Sequence, residues 1–364
     1  MNLGLSHEQE LLREAARGAL SRFDTLAVAR AALDGAPLPD LWPTAQEAGW
    51  TTMLVDESRG GAGLSAFDAM LVLGECGRAL APIPLLGHLP ATVILDAAGR
   101  DGDRRCAWLP ARPPGDTIAG FTVAAERGQA RVAAPVLAED GTLTGTVAWV
   151  PDAPGAELLV VVAVRSDGTP AAVAIDAASD GVAVEPVTSY DATRALAHVT
   201  LSGASGELLE VTEADLVRTW YLAQAFLAAE AVGSVEIALE RSVAYAKERY
   251  TFGRAIGSYQ AVKHALVEVL RRLENARSLL YYAGWAYVSA HSEFALASSA
   301  ARSVAGGALD YAARELISVH GGIGATWEHD APLFFRRAQV SRRLLGGDAD
   351  ATDRVAGELL ATAA

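Results

Sequence analysis

Two short segments hold most of the residues whose types and spacing suit ligand chemistry. The first runs Glu248-Arg249-Tyr250-Thr251-Phe252-Gly253-Arg254-Ala255-Ile256-Gly257-Ser258-Tyr259-Gln260. It reads as a helix end, a glycine-bearing turn and a new helix start. Arg249 offers a planar cation, Phe252 a flat ring and Gln260 an amide. Together these suit a phosphate-plus-aromatic ligand such as a dinucleotide. The second is Val319-His320-Gly321-Gly322-Ile323-Gly324-Ala325-Thr326-Trp327-Glu328-His329-Asp330. It reads as a helix C-terminus followed by a glycine-rich loop, where absent side chains let a ligand approach the backbone. From these residues alone, a ligand role and a plain interhelical turn stand level.

Other chemistries find little support. No G-x-S-x-G elbow occurs, and the 7 histidines are scattered without metal-ligand spacing, so no metal is expected. No G-x-G-x-x-G follows a strand, and Gly60-Gly61-Ala62-Gly63 lies between helical segments. Cys76 and Cys106 are the only cysteines, too few for a disulfide framework or a zinc cluster. A net charge of −14 argues against nucleic acid and anionic lipid as partners, and it means that an anionic substrate needs a local basic patch. The start, MNLGLSHEQELLREAARGAL, lacks the basic and apolar regions of a signal peptide. No apolar run is expected to span a membrane, and the expected location is the cytoplasm.

The elements that must position these residues change period twice. From Ser6 to about Gly99 the pattern is helical. Ser6 and Gln9 are spaced for a capping box, and Leu11, Leu12, Ala15, Ala19 and Leu20 for one apolar face. From about Cys106 to Ser205 short apolar runs (Gly120–Ala124, Gly145–Val150, Leu158–Val164, Ala171–Ile175) alternate with the turn pairs Asp140-Gly141, Asp167-Gly168 and Asp180-Gly181. That texture predicts an antiparallel β domain. Beyond about Leu208 the helical period returns, with helices expected over 209–248, 258–290, 293–319 and 330–345 and a short one from about 350. Leu222, Phe226, Ala229, Val235, Leu239 and Val243 are spaced for one buried stripe. The expected fold is α+β: an N-terminal helical domain over 1–105, a middle antiparallel β domain over 106–205, and a C-terminal four-helix bundle over 206–364.

The first segment resembles the acyl-CoA dehydrogenase pattern R-x-x-F-G-x-x-I-x-x-x-Q, and the second resembles that family's Q-x-x-G-G-x-G loop. The stretch from Leu41-Trp42 through Asp56-Glu57-Ser58-Arg59-Gly60-Gly61-Ala62-Gly63-Leu64-Ser65 is similar to its N-terminal helical domain. Gly145-Thr146-Val147-Ala148-Trp149-Val150-Pro151-Asp152 is similar to its middle-domain strand. The four motifs fall in the family's order and cover nearly the whole chain.

The resemblance implies FAD as cofactor and α,β-dehydrogenation of an acyl-CoA thioester. A carboxylate takes the α proton and the flavin takes the β hydride. Arg249, Phe252 and Gln260 are then expected to hold the FAD of a neighbouring subunit. His320, Gly321 and Gly322 are expected to form the loop against it, and Trp149 to lie beside the isoalloxazine. The likeness is incomplete. Ser318 stands where the family usually has the loop's Gln. Pro151, which has no N–H to donate, stands where a Thr or Ser often bonds the flavin. The T-E-P-x-x-G-S-D segment is not recognisable between Cys106 and Arg131. The usual base positions fall on Leu345 or Gly346 and, for members with the base on the first bundle helix, near Ala223. None of these takes a proton. Asp348 and Glu230 are the nearest acids in sequence, and Glu328 matches a family residue away from the base position.

The pattern therefore favours a dimer or tetramer in which this chain is the Glu-lacking partner of a catalytic chain. Members of that kind in actinobacterial sterol breakdown work in this way. A self-sufficient homo-oligomer with a displaced base is the first alternative. A non-catalytic acyl-CoA or flavin-binding protein, and a flavin monooxygenase or oxidase on the same fold, are the others. The resemblance implies an electron-transfer flavoprotein as acceptor. Tyr281, Tyr282 and Trp285 are candidate lining for an acyl pocket, or bundle core.

Overall fold

The computed structural model describes residues 4–111 and 134–363. Five helices come first: α1 (His7–Leu20), α2 (Thr25–Leu33), α3 (Trp42–Glu47), α4 (Ala66–Ala79) and α5 (Leu85–Ala97). Two of them start on capping boxes, Ser6 with Gln9 and Ser65 with Asp68, which satisfy N–H groups that the first turn leaves unpaired. The buried stripe of α1 is not the one expected. Ala16 and Leu20 are buried with Leu12 and Ala19 beside them, whereas Leu11 and Ala15 face solvent. The true face follows the i, i+4, i+7 spacing from Leu12.

The strands are β1 (Cys106–Leu109), β2 (Val136–Leu137), β3 (Thr142–Pro151), β4 (Leu158–Arg165), β5 (Pro170–Asp176), β6 (Val182–Val187), β7 (Leu196–Ser205) and β8 (Glu207–Leu209). They form one sheet in the order β6-β7-β3-β2-β4-β5-β8, with β1 also on β4. Most pairings are antiparallel, as expected, but β1 and β2 each run parallel to β4. The sheet also outlasts Ser205, because β8 pairs with β5. Gly120–Ala124 lies outside the described residues. Strand β4 shows why its sequence is apolar at every position from Leu158 to Val164. Val160 and Val162 join the helical core, while Leu159, Val161 and Ala163 pack into a second core on the opposite face.

The C-terminal helices are α6 (Glu213–Glu248), α7 (Gln260–Ser289), α8 (Phe294–His320), α9 (Ala331–Ser341) and α10 (Gly347–Ala363). The last is 17 residues long rather than short. Helix α6 does not have a single stripe: from Thr219 to Val235 every residue is buried, so it is buried all round. It is long and apolar enough by length and composition to cross a membrane, contrary to the sequence expectation. However, 83% of its apolar window is covered by the protein's own core. That core takes in residues of α4, α5, α6, α7 and α8 together, so the N-terminal helices and the bundle share one interior.

Candidate functional site

The residues singled out from the sequence fall into two clusters. The first lies where the C-terminus of α6, the N-terminus of α7 and the C-terminus of α8 meet. Arg249 is the C-cap of α6, its N–H donating to the Tyr245 carbonyl. Its own carbonyl accepts from Ile256 N–H at 2.7 Å, which folds the intervening turn back on the helix. Phe252 sits on that turn at φ 49° and is 94% exposed; Arg249 and Gln260 are exposed as well. His320 is buried, stacked on Tyr245 at 4.2 Å and tilted against His329 at 4.4 Å, with its Nδ1 at 2.8 Å from the Leu316 carbonyl. That stack ties the glycine loop to α6. Gly321 has φ 65° and ψ −140°, a conformation essentially reserved for glycine, and a Cβ there or at Gly322 would meet nothing within 4 Å. The loop backbone is therefore open on its outer side.

The second cluster is a cavity of about 770 Å³ between the sheet and the bundle. Trp149 from β3 lines it, held at φ 60° with its ring edge-on to His198 at 5.1 Å. Leu345 and Gly346 line it from the turn after α9, with Phe335, Gln339, Val340 and Arg343 from α9 and the turn after it. Thus the aromatic residue and the expected base position share one cavity. No Asp or Glu lines that cavity among the described residues. Ala223 is fully buried inside α6. Tyr281, Tyr282 and Trp285 do not line the cavity. Tyr281 packs on Phe67 at 4.9 Å, and Tyr282 stacks on Trp285.

The two acids nearest the base position are tied up in ion pairs. Glu230 is buried and paired in two-pronged fashion with Arg194, whose guanidinium also donates to Ser341 Oγ at 3.1 Å. Asp348 accepts from the fully buried Arg302 at 2.8 Å; burial raises its carboxyl above the ordinary range, against Arg302 and Arg342. Arg302 also donates to the Ser341 carbonyl at 2.5 Å, and Gln224 Nε2 donates to the Leu345 carbonyl at 2.7 Å. Arg337 pairs with Asp191, where burial is outweighed by Arg337 and Arg194 and the carboxyl is held below its usual range. This buried frame fixes the Ser341–Leu345 strip behind the cavity. Sequence reading missed it, along with Arg343, Gln339 and Tyr190. Arginines in alanine-rich helices have no periodic signature that distinguishes a buried one from an exposed one.

Along α6, at about 1.5 Å per residue, roughly 37 Å separates Arg249 from Gln224, which bonds the Leu345 carbonyl at the far wall of the cavity; the Phe335 wall lies nearer to Arg249, since Arg241 sits over the adjoining Phe334.

Comparison with known proteins agrees with this architecture. Residues 6–111 match the model for the acyl-CoA dehydrogenase N-terminal domain, and residues 221–360 that for its C-terminal domain. The chain is 30% identical to the acyl-CoA dehydrogenase IpdE2 of Mycolicibacterium smegmatis, over 98% of this chain and 100% of that protein. It is 37% identical to FadE34 of Mycobacterium tuberculosis over 80% of this chain, which spans 38% of that longer protein. Among solved structures, a variant of the steroid ACAD Tcur3481-Tcur3483 superposes with a TM-score of 0.83 at 28% identity, covering 100% of this chain and 99% of that one. The ChsE4-ChsE5 complex of Mycobacterium tuberculosis has the same fold, with a TM-score of 0.83 at 24% identity and 99% of both chains covered. With its α-β-α order, its two motif clusters and full-length relatives of this kind, the chain belongs to the acyl-CoA dehydrogenase family of FAD-dependent oxidoreductases.

Proposed function

We propose that this chain is the cofactor-clamping, base-lacking subunit of a heteromeric acyl-CoA dehydrogenase. The observation that carries the reading is the cavity wall. Leu345 and Gly346 stand at the base position, no acid lines the cavity among the described residues, and Glu230 and Asp348 are spent on Arg194 and Arg302. A positioned general base contributes about 10²–10⁴-fold in rate, and this chain offers none there.

The other cluster suits work for a neighbour. Arg249, Phe252 and Gln260 project into solvent, where a neighbouring subunit can dock against them. A cation, a flat ring, an amide and an open glycine backbone fit the diphosphate and adenine of FAD. When bound, FAD supplies hydride acceptance. The contribution of this chain is to hold the nucleotide end, with Arg249 on the diphosphate, Phe252 against the adenosine and Gln260 bonding it. The proton would be taken by a carboxylate on the partner. The two-chain steroid ACAD among the similar structures supports a partner of the same fold and a sterol-type or other bulky acyl-CoA. The expected location is the cytoplasm, with an electron-transfer flavoprotein as acceptor.

Co-expression tests the assembly. The chain, affinity-tagged and produced with an acyl-CoA dehydrogenase chain bearing the family Glu, is expected to bring that chain down in equal amount, with half as many flavins as polypeptides. A flavin on every chain, or a homo-oligomer that ignores the second chain, would contradict the proposal.

A further inference from the structure

The cavity left without a base is still built to bind. It is about 770 Å³, is lined mainly by apolar side chains, and presents Trp149 at 38% exposure as a flat wall. Among the described residues Arg343 is the one charged residue lining it, and Arg343 is exposed. Its Nη1 donates to the carbonyl and side-chain oxygens of Gln339, and Gln339 Nε2 in turn donates to Asp310 at 2.6 Å. The guanidinium is thus oriented by neutral acceptors and meets no carboxylate among the described residues. Arg336, next to the cavity, is in the same position: it lies 4.4 Å over the ring of Tyr190, which lines the cavity, and donates to the Tyr190 carbonyl. The arginines directly behind the wall differ, since Arg194, Arg302 and Arg337 each hold an acid. In a chain of net charge −14, two arginines left without carboxylates at one apolar cavity point to an anion supplied from outside.

We propose that this cavity is a binding-only site for an apolar carboxylic acid, its body against Trp149, Phe335 and Val340 and its carboxylate on Arg343. Because Arg343 lines the cavity itself, the charge it meets belongs to the body that fills the cavity, not to a distant diphosphate tail. The planar fork of arginine matches a carboxylate in two-pronged fashion. The inference rests on the reading above that no base operates here, since a ligand held without a base is retained and not converted.

Titration calorimetry on the full-length chain tests it, with decanoate, decanoyl-CoA and CoA as probes. Decanoate is expected to bind, Arg343→Ala to weaken it roughly ten- to a hundredfold, and Arg343→Lys to weaken it less. Val340→Trp, which fills the cavity, is expected to abolish binding while circular dichroism stays unchanged. Failure of decanoate to bind, equal binding by the Arg343→Ala chain, or Arg343-dependent binding of CoA alone would each overturn the assignment. Flavin bleaching by decanoyl-CoA in the FAD-loaded chain is read separately. Bleaching would mean that the base-lacking reading has failed, whereas lost Arg343 dependence without bleaching defeats only the ligand proposal.

Discussion

Leu345 is held at φ 52°, a left-handed conformation that costs a branched side chain about 1–3 kcal/mol, and Gln224 and Arg302 hold the strip around it in place. On the proposed reading, the backbone of a base position is present there without the base. Of the two candidate positions on this turn, 345 already carries a side chain. A Cβ on Gly346, at φ 83°, would come within 2.7 Å of Asp350 Oδ2. Leu345→Glu is expected to be accommodated in the fold with its new carboxyl raised, since an apolar cavity disfavours the charged form, whereas Gly346→Glu is expected to lower the melting temperature. A Leu345→Glu chain that loses as much stability as Gly346→Glu would mean that neither position accepts a carboxylate. Glu230→Gln is expected to destabilise the fold by about 3 kcal/mol through the uncompensated charge left on buried Arg194, measured by urea unfolding. Phe252→Ala gives the opposite pattern. With 94% of the ring exposed, the isolated chain should keep its urea midpoint, while FAD retention in the assembly falls. Arg249→Ala should weaken that retention roughly ten- to a hundredfold, through loss of a charge-assisted bond of about 1.5–3 kcal/mol, read by flavin release on dilution.

At the scale of elements, Asp152 joins the end of β3 to α5, accepting from Gly87 N–H at 2.7 Å in a buried setting. Burial pushes its carboxyl up to about 6, against that N–H and Arg194. A folded-state value above the unfolded one means that the stabilisation is complete below about pH 4 and is lost as pH rises through 6. Asp152→Asn keeps the acceptor, and Asn tolerates the φ of 61° at that position. The stability of the variant relative to the parent should therefore grow from near zero at pH 4 to about 2–3 kcal/mol at pH 7, in denaturant titrations across that range. An unchanging difference would mean that Asp152 is ionised throughout. The same join marks the limit of what was legible in the sequence. Ser6 with Gln9, the turn glycines and the period changes near Cys106 and Leu208 are local signals, and the structure carries each of them. The all-round burial of α6, the parallel pairing of β1 and β2 with β4, and the choice of Ala16 over Ala15 depend on which element packs against which. The cavity wall likewise draws on β3, the residues before β7, and α9 with its following turn. No spacing along the chain brings Arg343 to Trp149.

For the whole molecule, the proposal is that the two clusters divide one enzyme between two chains. The exposed end of the bundle, with Phe252, Tyr250, Ile323 and Trp327 open to solvent, suits a neighbour's surface and its cofactor, while no acid lines the cavity among the described residues. The most direct measurement is flavin bleaching under anaerobic conditions, with straight-chain, branched and sterol-type acyl-CoAs, on this chain loaded with FAD alone and on the same chain co-expressed with a Glu-bearing partner. The account predicts no bleaching by the chain alone and rapid bleaching by the assembly, lost again when the partner's Glu is replaced by Gln. Rapid bleaching by the chain alone, abolished by Asp348→Asn or Glu230→Gln with the fold intact, would contradict it.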